Sequence, residues 1–256
     1  MTIRLSDYEA GAKYDGDYKA DLAALQKRLQ RIQVAHIVHG ARAIVMLEGW
    51  DAAGKGGILQ RLTARWDPRH FRLHAVAAPS DEERARHFLW RFWRDLPPTG
   101  SIALFDRSWY GRVLVERVEG FASECEWRRG YDEINAFEAQ QVAAGTTLVK
   151  LFVHVTQEEQ DQRLRARIDH PWKRWKTGAD DFHNRSRRAD YLHAMAEMFA
   201  RTDTAEASWI AIDGNNKKAA RIAALTAIAE RLEAAVSMQP PPMTDDLAKL
   251  RTQLED

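Results

Sequence analysis

The sequence predicts an α/β protein: one parallel sheet with helices on both faces and a helical insertion over one edge. Three observations predict it. Five short apolar runs recur along the 256 residues, separated by segments of helical periodicity. The first run, Ala43-Ile44-Val45-Met46-Leu47, is apolar throughout, as a strand buried on both faces must be. It leads directly into Glu48-Gly49-Trp50-Asp51-Ala52-Ala53-Gly54-Lys55-Gly56-Gly57, a glycine-rich turn from which Ile58, Leu59 and Leu62 continue as a helix.

The elements follow in order. Residues 1–17 are polar, carry Gly11 and Gly16, and read as a loosely ordered arm. From Tyr18 a helical face forms through Leu22, Leu25, Leu29 and Ile32. After the first strand and its turn, a second strand is expected at Phe71–Ala77. A helix then opens on Asp81-Glu82-Glu83, acids placed favourably at its N-terminus, with Phe88, Leu89, Phe92 and Trp93 as its buried stripe. Ser101–Asp106 is a third strand ending in an acid. A helix spans about 126–144, with Glu116, Glu119 and Glu126 expected on a solvent side. Thr147–Val155 is the fourth strand and Trp209–Asp213 the fifth. A last helix runs to about Ala235, and Pro240-Pro241-Pro242 separates an appendage at 237–256. Trp90, Trp93 and Trp209 are expected in the core.

The bulk composition excludes several classes. With 38 basic and 37 acidic residues the chain is no polycation. A single cysteine, Cys125, excludes an intramolecular disulfide and any all-cysteine metal site, which fits a reducing cytoplasm. No apolar run approaches a membrane span, and the first residues lack a signal-peptide core. The nine histidines are scattered without metal-ligand spacing.

The chemistry lies in three places. The first is the turn after strand one, which has the Gly-x4-Gly-Lys spacing of a phosphate-cradling P-loop: backbone N–H groups and the following helix terminus face an anion, and Lys55 adds a point charge. The Ser or Thr that ordinarily follows the lysine and binds metal is replaced by Gly56, and an acid, Asp51, sits inside the loop. The second is Phe105-Asp106-Arg107-Ser108-Trp109-Tyr110, where a carboxylate ends an apolar strand, the position at which such enzymes hold Mg²⁺. Asp51 and Asp106 can then face each other across the cavity. The third is the segment 156–201, read as helix-loop-helix. Between Arg163 and Arg188 it holds nine Lys/Arg against three acids, with Trp172-Lys173-Arg174-Trp175-Lys176 interleaving aromatics and cations. As a lid, it would close on a polyanion and exclude water. Plainer roles fit the same residues: a ligand-free turn at 49–57, a capping Asp106, a solvated basic face, or a single-strand nucleic-acid surface. The balanced net charge argues against the last.

These residues resemble the polyphosphate kinase 2 family. The resemblance rests on Gly49–Gly57, on Phe105-Asp106-Arg107-Ser108-Trp109-Tyr110-Gly111-Arg112, on Lys173-Arg174-Trp175-Lys176, and on Glu197-Met198, Arg201–Thr204, Trp209 and Lys217-Lys218. It covers about residues 20–235. It implies a P-loop kinase-like parallel sheet flanked by helices with a helical lid, in one domain over 18–236. It also implies Mg²⁺-dependent phosphoryl transfer between inorganic polyphosphate and a nucleotide. Asp51 and Asp106 would be the metal-binding pair, Lys55 and Arg107 would hold phosphates, and Arg167 would reach the transferring group. Gly49, Ala53, Gly54, Gly56, Arg112, Lys173 and Lys176 complete the expected phosphate-binding set. Members associate as dimers or tetramers. Gly111 and the stretch through Phe121 resemble the branch that phosphorylates AMP, with ADP or GDP as the alternative acceptor. An ATP-dependent small-molecule kinase and a non-catalytic nucleotide- or RNA-binding module are the competing readings.

Overall fold

A computed structural model describes residues 3–254. Strands β1 (Arg42–Gly49), β2 (Phe71–Ala75), β3 (Ile102–Asp106), β4 (Thr146–His154) and β5 (Trp209–Asp213) form one sheet in the order β2-β3-β1-β4-β5, every pair parallel. The helices are α1 (Tyr18–Val38), α2 (Lys55–Leu62), α3 (Asp81–Arg84), α4 (Trp90–Arg94), α5 (Val115–Val118) and α6 (Glu124–Ala143). They continue with α7 (Gln157–Asp169), α8 (Ala179–Ser186), α9 (Arg188–Thr202), α10 (Lys217–Glu233) and α11 (Asp245–Thr252). Among the described residues no helix is long and apolar enough to cross a membrane.

The apolar β1 lies at the centre of the sheet, and its residues 43–48 are buried. Pairing sets Leu47 opposite Asp106 and Gly49 opposite Val153, so the loop after β1 and the acid ending β3 leave the same sheet edge side by side. Parallel strands place ligands at this edge.

Several elements differ from expectation, each for a visible reason. β2 is an edge strand and stops at Ala75. The expected helix from Asp81 divides into α3 and α4: Ser80 and Glu83 cap its start reciprocally, and Ala85 already closes the first turn. Leu89 and Phe92 are buried, but Trp93 lays one edge on Phe137 and stays 46% exposed. Trp90 is half-buried beneath the Arg86 and Arg94 guanidiniums, whereas Trp209 is core. Glu119 is not on a solvent side, because it accepts a hydrogen bond from Tyr191 Oη at 3.2 Å and pairs with His183. The arm expected to be loose is held at several points. Leu5–Tyr8 form a 3₁₀ turn, Gly11 N–H donates to Asp213 Oδ2 at 2.7 Å, and Asn215 Nδ2 donates to the Tyr8 carbonyl.

Among the described residues, Lys150 and Glu138 form a charge pair buried in the core. Lys150, in the middle of β4, is completely buried, and its ammonium donates to Glu138 Oε2 (2.8 Å), Tyr110 Oη (2.9 Å) and the Thr202 carbonyl (2.8 Å). Glu138 also accepts from Trp109 Nε1 and Tyr110 Oη. Burial pushes Glu138 up and Lys150 down, against their mutual attraction. Every proton of the ammonium is used, which is the condition under which such a pair is tolerated. Lys150→Met leaves Glu138 unpaired and is expected to lower unfolding free energy by about 3–5 kcal/mol. The double variant with Glu138→Gln should recover part of that loss, and an unchanged urea midpoint in the single variant would show the pair to be dispensable.

Candidate active site

The loop 49–57 is shaped by three positive φ angles: Gly49 (135°), Ala52 (62°) and Gly54 (115°). At Gly49 a Cβ would be driven into the Val153 carbonyl, so only glycine fits beside β4. Gly54 is the N-cap of α2, whose first turn presents N–H groups towards the loop. Lys55 is buried and ties the loop from within, donating to the carbonyls of Gly49 (2.8 Å) and Trp50 (3.0 Å). Burial and the nearby Arg107 push its ammonium below the usual range, opposed by Asp106, Asp51 and Glu48. Lys55 therefore lies at the electrostatic centre of three carboxylates.

From outside, Arg163 of α7 does the complementary work. Its guanidinium donates to the carbonyls of Ala52 (3.1 Å) and Ala53 (2.7 Å), and to those of Gly214 (2.5 Å) and Asn215 (3.5 Å) beyond β5. Gln160, one turn earlier, donates to the Asp51 carbonyl at 3.1 Å. α7 is capped by Thr156, and α10 by Asn216, so both helices start beside the loop.

Asp51 pairs with Arg107 and accepts from Asn184 Nδ2 at 3.1 Å. Burial would raise its carboxyl, but Arg107 and Lys55 outweigh burial and hold it below its ordinary value. Arg107 itself sits at φ 67°, a strained angle for a residue with a Cβ, with its N–H bonded to the Leu47 carbonyl at 3.0 Å. Glu48 is buried beside them and accepts from Ser108 Oγ at 2.8 Å; burial pushes its carboxyl up, against Ser108 and Lys55.

Two clefts meet at the loop. The larger, about 200 Å³, is lined by Ala53, Gly54, Arg163, Arg167, Lys173, Lys217 and Arg221. The smaller, about 60 Å³, is lined by Glu48, Asp51 and Arg107 together with Leu114, Val115, Tyr191 and Met195. One cleft is a basic groove; the other mixes charged and apolar side chains.

The two acids, Lys55, Arg107, Gly49, Ala53 and Gly54 are thus brought together, and Arg167 and Lys173 reach the basic cleft. Two expected residues lie elsewhere. Arg112 stacks on Phe88 (4.6 Å), pairs with Glu116 and packs its stem on Gly130. Lys176 is exposed and lies over the Trp175 ring at 5.1 Å. Gly56 is in place, but nothing stands within 4 Å of a Cβ there. Sequence reasoning overlooked Gln160, Asn184, Tyr191, Glu48 and Arg221. Only the density of cations in 163–188 pointed towards Arg163.

A family profile, Polyphosphate kinase 2, matches residues 13–240. The chain belongs to the polyphosphate kinase 2 family. It is 44% identical over 232 residues to a polyphosphate:AMP phosphotransferase of Acinetobacter johnsonii, covering 90% of this chain and 48% of that protein. It is 42% identical over 207 residues to ADP-polyphosphate phosphotransferase 3 of Rhizobium meliloti, covering 81% of this chain and 73% of the relative. The crystal structure of a polyphosphate kinase 2 from Arthrobacter aurescens TC1 superposes with a TM-score of 0.91 at 35% identity, over 99% of this chain and 93% of that one. The chain spans about half the length of the polyphosphate:AMP phosphotransferases it matches.

The two glycines of the loop make opposite predictions. Gly49→Ala is expected to cost well over about 2 kcal/mol, because both the left-handed angle and the Val153 carbonyl oppose a side chain. Gly56→Ser, which meets open space, is expected to stay within about 0.5 kcal/mol of the parent. Thermal unfolding of both variants measures the contrast, and equal losses would contradict this account of the loop.

Proposed function

We propose that this chain transfers a phosphoryl group from inorganic polyphosphate to a nucleotide, with AMP as the leading acceptor. The observation that carries the reading is the pairing of two clefts that both border the loop 49–57. The basic groove suits a long polyanion, and the smaller cleft, which combines Asp51 and Arg107 with apolar side chains, suits a nucleotide. The names of the relatives support the same substrates, AMP in one group and ADP in another, so ADP or GDP is the second acceptor to test.

In this reading Asp51 and Asp106 hold Mg²⁺. The donor set fits: Mg²⁺ is bound by one or two carboxylates together with substrate phosphates. Among the described residues no group of three or more His, Cys, Asp or Glu is placed to hold a metal, so these two carboxylates are the acids that would hold the ion. A bound Mg²⁺ would supply neutralisation of phosphate charge. Lys55 and Arg107 steady the phosphate oxygens, the N–H groups of the loop and of α2 face them, and α7 to α9 exclude water. Family resemblance further supports a homo-oligomer, which light scattering can count, and a cytoplasmic setting.

Two measurements test this. Incubation with polyphosphate, Mg²⁺ and AMP, ADP or GDP, with products identified by chromatography, should give ADP from AMP most rapidly. Asp51→Asn and Asp106→Asn should each reduce that turnover at least about 100-fold while unfolding like the parent. Turnover with ATP and an organic acceptor but none with polyphosphate would refute the reading.

The groove makes a separate prediction. Arg167→Gln and Lys173→Gln remove cations from its wall and should raise KM for polyphosphate roughly tenfold, with less effect on KM for the nucleotide. The parent's KM for polyphosphate should also rise with salt more steeply than that of either variant. Equal changes in both KM values would place these side chains on the wrong substrate.

A further inference from the structure

The residue immediately before Asp51 is held by a chain of hydrogen bonds that begins in the N-terminal arm. The Trp50 indole N–H donates to His154 Nδ1 at 2.9 Å, and His154 Nε2 lies 2.9 Å from Glu9 Oε1. An indole nitrogen can only donate, so Nδ1 must carry a lone pair and the ring proton must be on Nε2. His154 is therefore neutral, and it donates that proton to Glu9. The carboxylate on the arm fixes the tautomer that Trp50 requires.

The surroundings agree with this assignment. His154 is the last residue of β4 and is fully buried. Burial holds its imidazole below the ordinary range; Glu9 and Asp213 act against this, and Arg188 acts with it. Arg188 also covers the Trp50 ring at 4.0 Å and donates to the Val155 carbonyl (2.5 Å) and Gln160 Oε1 (3.0 Å). Trp50 is thus gripped on its face by the lid and on its edge by β4. Its carbonyl meanwhile accepts from Lys55. One residue thus carries the indole held by His154 and the carbonyl held by Lys55, and it directly precedes Asp51.

We propose that Glu9 and His154 are positioning residues for the phosphoryl-transfer loop, and that the N-terminal arm is therefore part of the working active site. The proposal rests on the phosphoryl-transfer reading for its kinetic consequence, but not for its structural one. Protonation of His154 would set two N–H groups against each other at Trp50. By linkage, the stability this imidazole contributes is fully present above the ordinary histidine pKa and declines as pH falls below it.

The test uses the full chain and the variants Glu9→Ala, His154→Gln and His154→Leu. The Trp50 indole N–H resonance, assigned by its loss in Trp50→Phe, reports the hydrogen bond directly. Glu9→Ala should move that resonance and lower kcat roughly tenfold, with unchanged thermal unfolding and little change in either KM. Glutamine can both accept from the indole and donate to Glu9, so His154→Gln should retain more kcat than His154→Leu. An unmoved resonance or an unchanged kcat in Glu9→Ala overturns the proposal, as does equal loss in the two His154 variants. Parent turnover is the separate control. Its absence overturns the phosphoryl-transfer reading, while the indole resonance still decides whether Glu9 and His154 hold Trp50.

Discussion

The buried guanidinium of Arg163 is the interaction on which the site depends. A phosphate-cradling loop must turn its N–H groups inward, which drives some of its carbonyls outward into the protein, where they need donors. Arg163 supplies them for Ala52 and Ala53, and with its remaining N–H groups it joins the loop to Gly214 and Asn215 beyond β5. Lys55 does the same for Gly49 and Trp50 from the inner side. Because Arg163 belongs to α7, the root of the lid is bonded to the loop it covers. The outer lid is different. Trp172 and Trp175 are 84% and 79% exposed, while beyond them Asn184 and Arg188 return to the loop at Asp51 and Trp50.

Charge is nearly balanced over the chain but sharply segregated at the sheet edge. The acids Glu48, Asp51 and Asp106 cluster on the β1–β3 side, while the groove between α2, α7 and α10 collects cations. Coulomb energy alone would disperse such a collection, yet several members have a fixed counterpart. Arg107 answers Asp51, Arg163 answers Glu159, and Lys55 faces three carboxylates. Among the described residues Arg167, Lys173, Lys217 and Arg221 on the groove wall form no ion pair, and these are the cations open to a polyanion.

What the sequence could convey was local. A buried run, a glycine turn and a helix start lie within twenty residues, so their chemistry and spacing are visible directly, as is an acid closing a strand at Asp106. Register then brings Asp106 beside the loop through strand pairing that topology alone decides. Contacts such as Arg163 to Ala53 or Asn184 to Asp51 join residues more than a hundred positions apart and depend on the path of the whole chain. Direction was also hidden: Arg112 and Lys176 lie in basic, motif-like surroundings but turn towards Phe88 and Trp175. Nothing in the sequence marks Lys150 as paired, because its partner Glu138 belongs to another element, and the arm reads as loose because its anchors are in β4 and β5.

Gly49 and Gly56 are glycines for different reasons. Space forces the first, since β4 leaves no room for a side chain. Space does not force the second: a hydroxyl-bearing residue would fit at Gly56, so its absence is not a packing requirement. A loop with a carboxylate at Asp51 and another at Asp106 already supplies two oxygen donors beside Lys55. A hydroxyl donates a neutral oxygen, whereas a carboxylate brings a full negative charge, and that charge also anchors Arg107. That charge is fixed in the fold, with Arg107 paired to one carboxylate oxygen and Asn184 donating to the other.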